Sequence, residues 1–240
     1  MDRAADTRRR ALELPDVALA RELPAGDDVR VYSASLDLSP EVDRELRALL
    51  TDDERTRAAG YPDSARAVRF ARGRGLLRHL LGEALGRPAS ALRFENNRDG
   101  KPALAGAEAA SGLQFNLSHA PRLVLLAIST GRRVGADVAW TGGSTRLDGV
   151  VARFFSPPER DTYAAALPAH RRQLFTRIWV RKEAYLKGRG EGISEWIHTT
   201  DFTGDSVAPG RGDQEAWELR DVAGLPEGYV GSIALERERR

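Results

Sequence analysis

The chain of 240 residues contains no cysteine, which excludes disulfide bonds, cysteine-ligated zinc and thiol chemistry. It has four histidines and no H-x-x-x-H pair, so nothing supports a zinc site. No stretch approaches the ~20 apolar residues of a transmembrane helix. Residues 1–30 mix acidic and basic side chains and lack the apolar core of a secretory signal. We therefore expect a cytoplasmic protein that makes no use of a membrane.

The remaining composition is that of an ordinary globular protein, with 41% hydrophobic and 30% charged residues. A chain of this length can bury a core as one large domain or as two smaller ones. The net charge of +2 is too small to make the whole molecule a polyanion binder. Five arginines between Arg66 and Arg78 keep a nucleic-acid-binding module as an alternative, although a solvated arginine face is the default interpretation.

Hydrophobic periodicity and turn residues predict that each half of the chain has one long helix and several short strands. Gly73 and Gly75 lie within the first long helix, where they weaken it or mark a close backbone approach. The loop around Gly131 predicts a hairpin between its two flanking strands. The predicted helices are Ser39–Leu50, one that begins at Thr51, Ala65–Leu85, one that begins at Ser156 and one that follows Pro168; the predicted strands are Val29–Leu36, Leu123–Ile128, Val134–Trp140, Thr199–Thr203, Ala216–Leu219 and Tyr229–Leu235.

One carboxylate lies on the apolar stripe of the second long helix. Apolar residues between Leu174 and Leu186 recur at spacings of three and four, which marks one face of a helix. Glu183 lies on that face, four residues after Trp179, and Lys187 follows one turn later. A carboxylate in this position is costly to desolvate unless a cation or hydrogen-bond donors meet it.

A second carboxylate lies on the predicted strand VGADVAW at Val134–Trp140. Asp137 shares one strand face with Gly135 and Ala139, two of the smallest residues, so a bulky group could approach it there. Asp137 and Glu183 are far apart in sequence, and both are predicted to face inward. This pattern suggests a shared metal ion.

Four sequence blocks carry a family resemblance. They are Gly100-Lys101-Pro102, Phe115-Asn116-Leu117-Ser118-His119, the G-x-D-x strand around Asp137, and W-x-x-K-E-A-x-x-K at Trp179–Lys187 with the glycine-rich turn after it. In this order they resemble the 4′-phosphopantetheinyl transferases of the surfactin-synthetase-activating type. The resemblance extends from about Leu50 to Ile193, with a weaker similarity at Gly228–Leu235.

The resemblance implies an α+β fold of two similar subdomains in a pseudo-twofold arrangement, with the active site in the cleft between them. It places an N-terminal extension at residues 1–29, one subdomain at 30–130 and the other at 131–240. The implied reaction moves the 4′-phosphopantetheine arm of coenzyme A to a serine of acyl or peptidyl carrier proteins and releases 3′,5′-ADP. The implied ion is Mg²⁺, with Mn²⁺ as a substitute, and the protein is expected to act as a monomer without nucleic acid.

The resemblance also assigns residues. Asp137 and Glu183 match the metal-binding carboxylates, and Glu183 or a metal-bound water accepts the serine proton. Lys187 matches the lysine that contacts the pyrophosphate. The expected catalytic residues are Glu183, Lys187 and Asp137, and the expected coenzyme A contacts are Arg57, Gly100, Lys101, Pro102, Asn116, Ser118, His119, Lys182 and Lys187.

One position departs from the pattern. Bacterial relatives often carry a third carboxylate two residues after the first, where this chain has Ala139. A family member that binds coenzyme A with little or no transferase activity is therefore the alternative to an active enzyme. For the arginine-rich helix, the resemblance adds contact with an acidic carrier protein as a further interpretation.

Overall fold

The computed structural model describes residues 13–14, 17–18, 20–143, 147–192, 195–208 and 216–237. Within these ranges the fold contains two four-stranded antiparallel sheets and six α-helices. No helix in these ranges is both long and apolar enough to cross a membrane. Short 3₁₀ helices lie at Ala89–Ala91, Gly106–Ser111 and Glu195–Thr199. The strands are β1 (Glu13–Leu14), β2 (Val17–Ala18), β3 (Arg21–Leu23), β4 (Val29–Ser35), β5 (Phe94–Asn96), β6 (Pro102–Leu104), β7 (Leu113–His119), β8 (Leu123–Thr130), β9 (Val134–Trp140), β10 (Ser206–Val207), β11 (Trp217–Asp221) and β12 (Tyr229–Glu236), and the helices are α1 (Pro40–Ala48), α2 (Asp52–Ala59), α3 (Ser64–Leu85), α4 (Leu147–Phe154), α5 (Pro157–Ala165) and α6 (Pro168–Arg189).

The helix starts follow local sequence signals. Ser39 accepts a hydrogen bond from the first turn of α1, and Thr51 and Glu54 form a capping box at the start of α2. Pro157 and Pro168 occupy the first turns of α5 and α6, where the missing N–H group has no intrahelical partner to lose. The predicted helix positions are confirmed.

Three strands of each sheet repeat one topology, β4-β8-β7 in the first sheet and β9-β12-β11 in the second. The fourth strand differs, since β3 is added beside β4 and β10 is added beside β11. In each half, one strand (β4 or β9) leads through a long helix (α3 or α6) to two further strands (β7 and β8, or β11 and β12). The last strand of each half, β8 or β12, lies between the other two. This repetition confirms an α+β fold built from two similar halves.

The sheets pack face to face, and each carries its long helix on the outer side. Along β8, Leu125 and Ala127 join a core cluster with Ala136 of the second sheet, whereas Leu126 and Ile128 join the cluster that includes α3. β8 is therefore buried on both faces. β7 and β9 are the edge strands of their sheets and contact each other, which brings the two halves together along these two strands.

The predicted hairpin around Gly131 is wrong. β8 pairs with β4 and β7, whereas β9 pairs with β12, so the two strands belong to different sheets. Gly131, at φ 75°, turns the chain from one sheet into the other. Because both strands have an apolar face to bury, they pack those faces together instead of sharing ladder hydrogen bonds.

The strand predicted at Thr199–Thr203 is also wrong. A 3₁₀ helix ends at Thr199, and backbone carbonyls between Ile197 and Gly204 accept hydrogen bonds from two buried side chains. Lys182 donates to two of these carbonyls and Arg181 to three. Since the backbone is satisfied by side chains, it needs no neighbouring strand.

Residues 20–29, which the sequence analysis assigns to an extension, are integrated into the first half. β3 pairs with β4 through the whole of its length, and Leu23 is buried in the core between the sheets. Asp28 also forms ion pairs with Arg132 and Arg220. The first sheet therefore includes strand β3, which lies before residue 30.

The arginines of α3 do not form a solvated face. Arg66 is exposed, but Arg78 is buried, pairs with Glu54 at 2.7 and 3.1 Å, and donates to two further backbone carbonyls. Arg72 pairs with Asp43 at 2.7 Å. Much of this charge is therefore neutralised inside the chain, and the default interpretation of the patch is wrong.

Candidate active site

A close contact between strand β9 and helix α6 defines the site. A Cβ atom on Gly135 would lie 1.9 Å from the carbonyl oxygen of Ala184 and 2.3 Å from the backbone nitrogen of Gly188, so only glycine permits this approach. The small residues on either side of Asp137 predict room for a bulky group beside this strand. The structure shows that the group is the backbone of α6 itself, which brings Asp137 opposite the helix that carries Glu183 and Lys187.

Asp137 is held by two side chains from different parts of the chain. Its Oδ1 accepts hydrogen bonds from the Ser118 hydroxyl of β7 at 2.6 Å and from the Lys187 ammonium of α6 at 2.5 Å. Lys187 also donates to the Ser118 oxygen at 3.1 Å. Asp137 is 7% exposed and Ser118 is 3% exposed. The structure thus brings together three residues predicted for the site and fixes the rotamer of the carboxylate.

Glu183 lies next to this cluster and is half-buried. Burial raises the pKa of Glu183, the charge of Lys187 opposes this rise, and the charge of Asp137 adds to it. Within the described part of the chain, no side chain or backbone group forms a hydrogen bond with its carboxylate. Two neighbouring carboxylates, one of them without a hydrogen-bond partner, are an arrangement that a cation would stabilise.

The donor set fits a hard divalent cation. Such ions prefer oxygen ligands, and Mg²⁺ usually keeps several waters while it binds one or two carboxylates. The described residues contain no group of three or more His, Cys, Asp or Glu side chains that could hold a metal, and Asp137 and Glu183 form a pair of neighbouring carboxylates. Ala139, half-buried on the same strand face as Asp137, supplies none.

His119 lies at the end of β7 and packs against a glycine of α3. A Cβ atom on Gly73 would lie 2.1 Å from the His119 Nε2, which confirms the close approach predicted at that glycine. Desolvation lowers the pKa of His119, although part of the residue is exposed, and the charges of Lys187, Arg69 and Arg74 act in the same direction. The imidazole therefore lies in an electropositive corner.

A cavity of about 450 Å³ lies between α2, α3 and β5. Arg57 lines it and places its guanidinium 5.1 Å from the centre of the Phe70 ring. Arg74 also lines it and stacks on Phe94 at 5.1 Å, while its charge reaches His119. From the sequence, Arg74 is only a member of the arginine patch, and Phe70 and Phe94 are not among the expected site residues. The density of arginines was the available signal, but it did not show which of them turn inward.

The Gly100-Lys101-Pro102 turn contacts the second half of the chain. Lys101 donates from Nζ to the carbonyls of Val134 at 3.0 Å and Gly188 at 2.9 Å. Burial lowers the pKa of Lys101 to about 8, and the charge of Arg133 adds to this effect. The ammonium group is thus already engaged by backbone oxygens at the junction of the two halves.

Two of the expected coenzyme A contacts, Asn116 and Lys182, form contacts within the chain. Asn116 is buried, and its Oδ1 accepts a hydrogen bond from the Ala136 backbone at 2.8 Å, which ties β7 to β9. Lys182 is 1% exposed and pairs at 2.8 Å with Glu159, which is 0% exposed. The structure does not bring Lys182 to the cluster around Asp137, because it projects from a different side of α6.

Comparison with known proteins gives two family matches. The model of the 4′-phosphopantetheinyl transferase N-terminal domain matches residues 40–131, and the model of the 4′-phosphopantetheinyl transferase superfamily matches residues 133–230. The chain is 36% identical to the 4′-phosphopantetheinyl transferase HetI of Nostoc over 169 residues, which cover 70% of this chain and 71% of HetI. The chain belongs to the 4′-phosphopantetheinyl transferase superfamily.

This phosphopantetheinyl transferase is also 26% identical to Sfp of Bacillus subtilis over 168 residues, which cover 69% of this chain and 72% of Sfp. The family membership confirms the predicted activity, the transfer of 4′-phosphopantetheine to carrier proteins. Members of the family use coenzyme A as substrate and generally a divalent metal. The two family models meet at the turn between β8 and β9, where the chain passes from one sheet to the other.

Proposed function

We propose that this transferase moves the 4′-phosphopantetheine arm of coenzyme A to a serine of acyl or peptidyl carrier proteins, with Mg²⁺ held by Asp137 and Glu183. The observation that carries this proposal is the cluster of Asp137, Ser118 and Lys187 beside the carboxylate of Glu183. A pyrophosphate substrate needs cations for its charge and a base near the incoming hydroxyl, and this cluster supplies both.

Glu183 acts as the base in this proposal. The raised pKa makes its carboxylate a better proton acceptor than an exposed glutamate. The serine oxygen attacks the β-phosphorus of coenzyme A, its proton passes to Glu183, and the bond to the leaving 3′,5′-ADP breaks. Lys187 offsets the charge that develops on the pyrophosphate. A bound Mg²⁺ would screen the phosphate charge during this step.

The nucleotide end of coenzyme A would extend from the cluster toward α3. His119 and Arg57 are proposed as contacts of the 3′-phosphate, since Arg57 lines the arginine-lined cavity and the charge of Arg74, which also lines it, acts on His119. The backbone of the exposed Gly100 turn is proposed to contact the adenine end. Gly100 has φ 86°, a conformation that favours glycine, and Pro102 begins β6 just after the turn.

The proposal includes the organisation of the protein. One subdomain would comprise the chain up to residue 130, with residues from 20 onward as an integral part, and the other would comprise residues 131–240. The enzyme would act as a monomer in the cytoplasm and would not bind nucleic acid, because most arginines of α3 contribute to contacts within the chain. Mn²⁺ is proposed to replace Mg²⁺.

Intact mass of a carrier protein tests the function. Apo carrier protein is incubated with the enzyme, coenzyme A and Mg²⁺, and the carrier should gain the mass of one phosphopantetheine arm. A parallel sample with excess EDTA should show no gain. Calorimetric binding of coenzyme A without any mass gain would instead support the alternative that Ala139 keeps open, a coenzyme A-binding family member without transferase activity. DNA binding that weakens with salt would support the nucleic-acid alternative.

A further inference from the structure

We propose that Lys101 is a positioning residue, which clamps α6 to β9 and thereby sets the distance between the two carboxylates of the metal site. This inference rests on the proposed function for the identity of the metal ligands. It gives the ammonium of Lys101 a structural target, the backbone of the opposite half, instead of a phosphate of coenzyme A.

Two side chains of the Lys101 turn donate hydrogen bonds to the second half of the chain. Lys101 Nζ joins the Gly188 carbonyl on α6 to the Val134 carbonyl on β9, at 2.9 and 3.0 Å. Asn97 Nδ2 donates to the Gly190 carbonyl at 2.8 Å. Asn97 Oδ1 in turn accepts from the backbone N–H of Lys101 at 2.8 Å, so the two side chains are fixed relative to each other. One turn therefore binds three carbonyls of the opposite half.

The end of α6 needs such partners. The last carbonyls of a helix have no intrahelical donor, and α6 ends at Gly190 in the left-handed conformation, with φ 77°. Lys101 and Asn97 supply donors to the carbonyls of Gly188 and Gly190 from outside the helix. A cation at this end also interacts favourably with the helix dipole.

The clamped atoms lie close in sequence to the reactive side chains. Gly188 follows Lys187 directly, and Val134 lies three residues before Asp137. The backbones of Gly135 on β9 and Gly188 on α6 are close together, since a Cβ on Gly188 would lie 3.2 Å from the Gly135 nitrogen. Two glycines allow the strand and the helix to approach, but they offer no side chain that holds them together. The ammonium of Lys101 adds such a link beside the ion pair of Lys187 with Asp137.

The direction in which Mn²⁺ affinity changes when Lys101 is replaced distinguishes a clamp from a simple charge effect. If Lys101 acts only through its positive charge, its removal lowers electrostatic repulsion and Mn²⁺ binds more tightly. If it acts as a clamp, its removal lets the carboxylates move apart and Mn²⁺ binds more weakly. Partners that orient metal ligands typically change metal affinity by roughly 10–100-fold when they are lost.

The experiment measures Mn²⁺ affinity by electron paramagnetic resonance in the absence of coenzyme A. Lys101→Met keeps the length of the side chain but removes the donors, and it should weaken Mn²⁺ binding roughly tenfold. Asn97→Asp removes the donor to Gly190 and adds a negative charge, so weaker binding is again the sign of a clamp. Arg98→Met is the matched control, because Arg98 is exposed in the same turn and pairs with Asp99. It should leave Mn²⁺ affinity unchanged.

Unchanged or tighter Mn²⁺ binding by Lys101→Met would overturn the proposal. So would a selective rise in KM for coenzyme A over 3′-dephospho-coenzyme A, because that split marks a phosphate contact. If Lys101→Met does not fold, Asn97→Asp decides by the same two criteria. If the wild type itself binds no Mn²⁺, the proposed metal site fails, and the clamp is then judged by amide hydrogen exchange. Faster exchange in Lys101→Met around residues 134–137 and 186–190 supports it, and unchanged exchange overturns it.

Discussion

The buried ion pair of Lys182 and Glu159 offers the strongest test of how α6 is held in the fold. Its two charged atoms are 2.8 Å apart, and both residues are at most 1% exposed. The Glu159 carboxylate also accepts hydrogen bonds from the backbones of Ser156 at 2.7 Å and Phe202 at 2.9 Å. The pair thus connects α5, α6 and the segment that follows the last 3₁₀ helix.

Lys182→Met removes the cation and leaves the Glu159 carboxylate buried without its counter-charge. Breaking a buried pair in this way typically costs about 3–5 kcal/mol. Single domains are stable by about 5–15 kcal/mol, so this variant should lose roughly a fifth of its stability or more. In urea unfolding followed by circular dichroism, the midpoint should fall by about 1–2 M.

The effect of the variant should depend on pH. Burial raises the pKa of Glu159 above 4.5, and Lys182 opposes this rise, so the pKa in the folded variant increases further. The carboxyl group of Glu159 then has a higher pKa in the folded variant than in the unfolded chain. At a pH between these two values, Glu159 is protonated in the folded variant and ionised in the unfolded chain. The stability of the variant therefore falls as pH rises through this window. The destabilisation should be smaller at about pH 5 than at about pH 8.

Arg177→Met is the control, because it removes a cation from an exposed pair on the same helix. Arg177 contacts Asp221 at 2.6 Å with 44% of its side chain exposed, so its loss should change stability by less than about 1 kcal/mol. Equal effects of the two variants, or no pH dependence in Lys182→Met, would refute the reasoning. A selective loss of coenzyme A binding over 3′-dephospho-coenzyme A in Lys182→Met would restore its expected role as a coenzyme A contact.

Three further predictions concern the site. Glu183→Gln should abolish transfer while thermal unfolding stays unchanged, because it keeps the shape and removes the charge; near wild-type turnover would contradict both of its proposed roles. His119→Ala should weaken coenzyme A by ~1.5–3 kcal/mol, roughly one or two powers of ten, and 3′-dephospho-coenzyme A less. Equal losses would place His119 away from the 3′-phosphate. Ala139→Glu should lower the Mg²⁺ concentration for half-maximal activity, at saturating coenzyme A and carrier, because it adds an oxygen ligand beside Asp137. An unchanged requirement with unchanged turnover would show that position 139 does not face the metal.

Sequence alone predicted the elements and the residues that depend on local chemistry. Helix starts at Ser39 and Thr51 depend on side chains that cap their own backbone within three residues, so no distant contact is needed to recognise them. The inward positions of Asp137 and Glu183 follow from strand and helix periodicity, which is also local. The ordered sequence blocks identified the family.

Tertiary structure decided which partner each face of a helix or strand contacts. Lys182 and Lys187 are five residues apart on α6, so their directions differ by about 140° around the helix. Lys187 reaches Asp137 on one side, and Lys182 reaches Glu159 on another. Periodicity separates these two directions, but it cannot name the partner on either side, since the C-terminal half of α6 is buried on most of its sides.

At the junction of the two halves, too, the sequence predicts local features and the tertiary structure decides their partners. The sequence predicts that the strands on either side of Gly131 each have an apolar face, but it does not say whether they pair edge to edge or pack face to face. It likewise marks the turn at Lys101 without indicating that its ammonium ends on carbonyls 33 and 87 residues away. Contacts of this range depend on how two sheets and two helices stack, because many side chains bury their apolar area together and no single segment encodes the result.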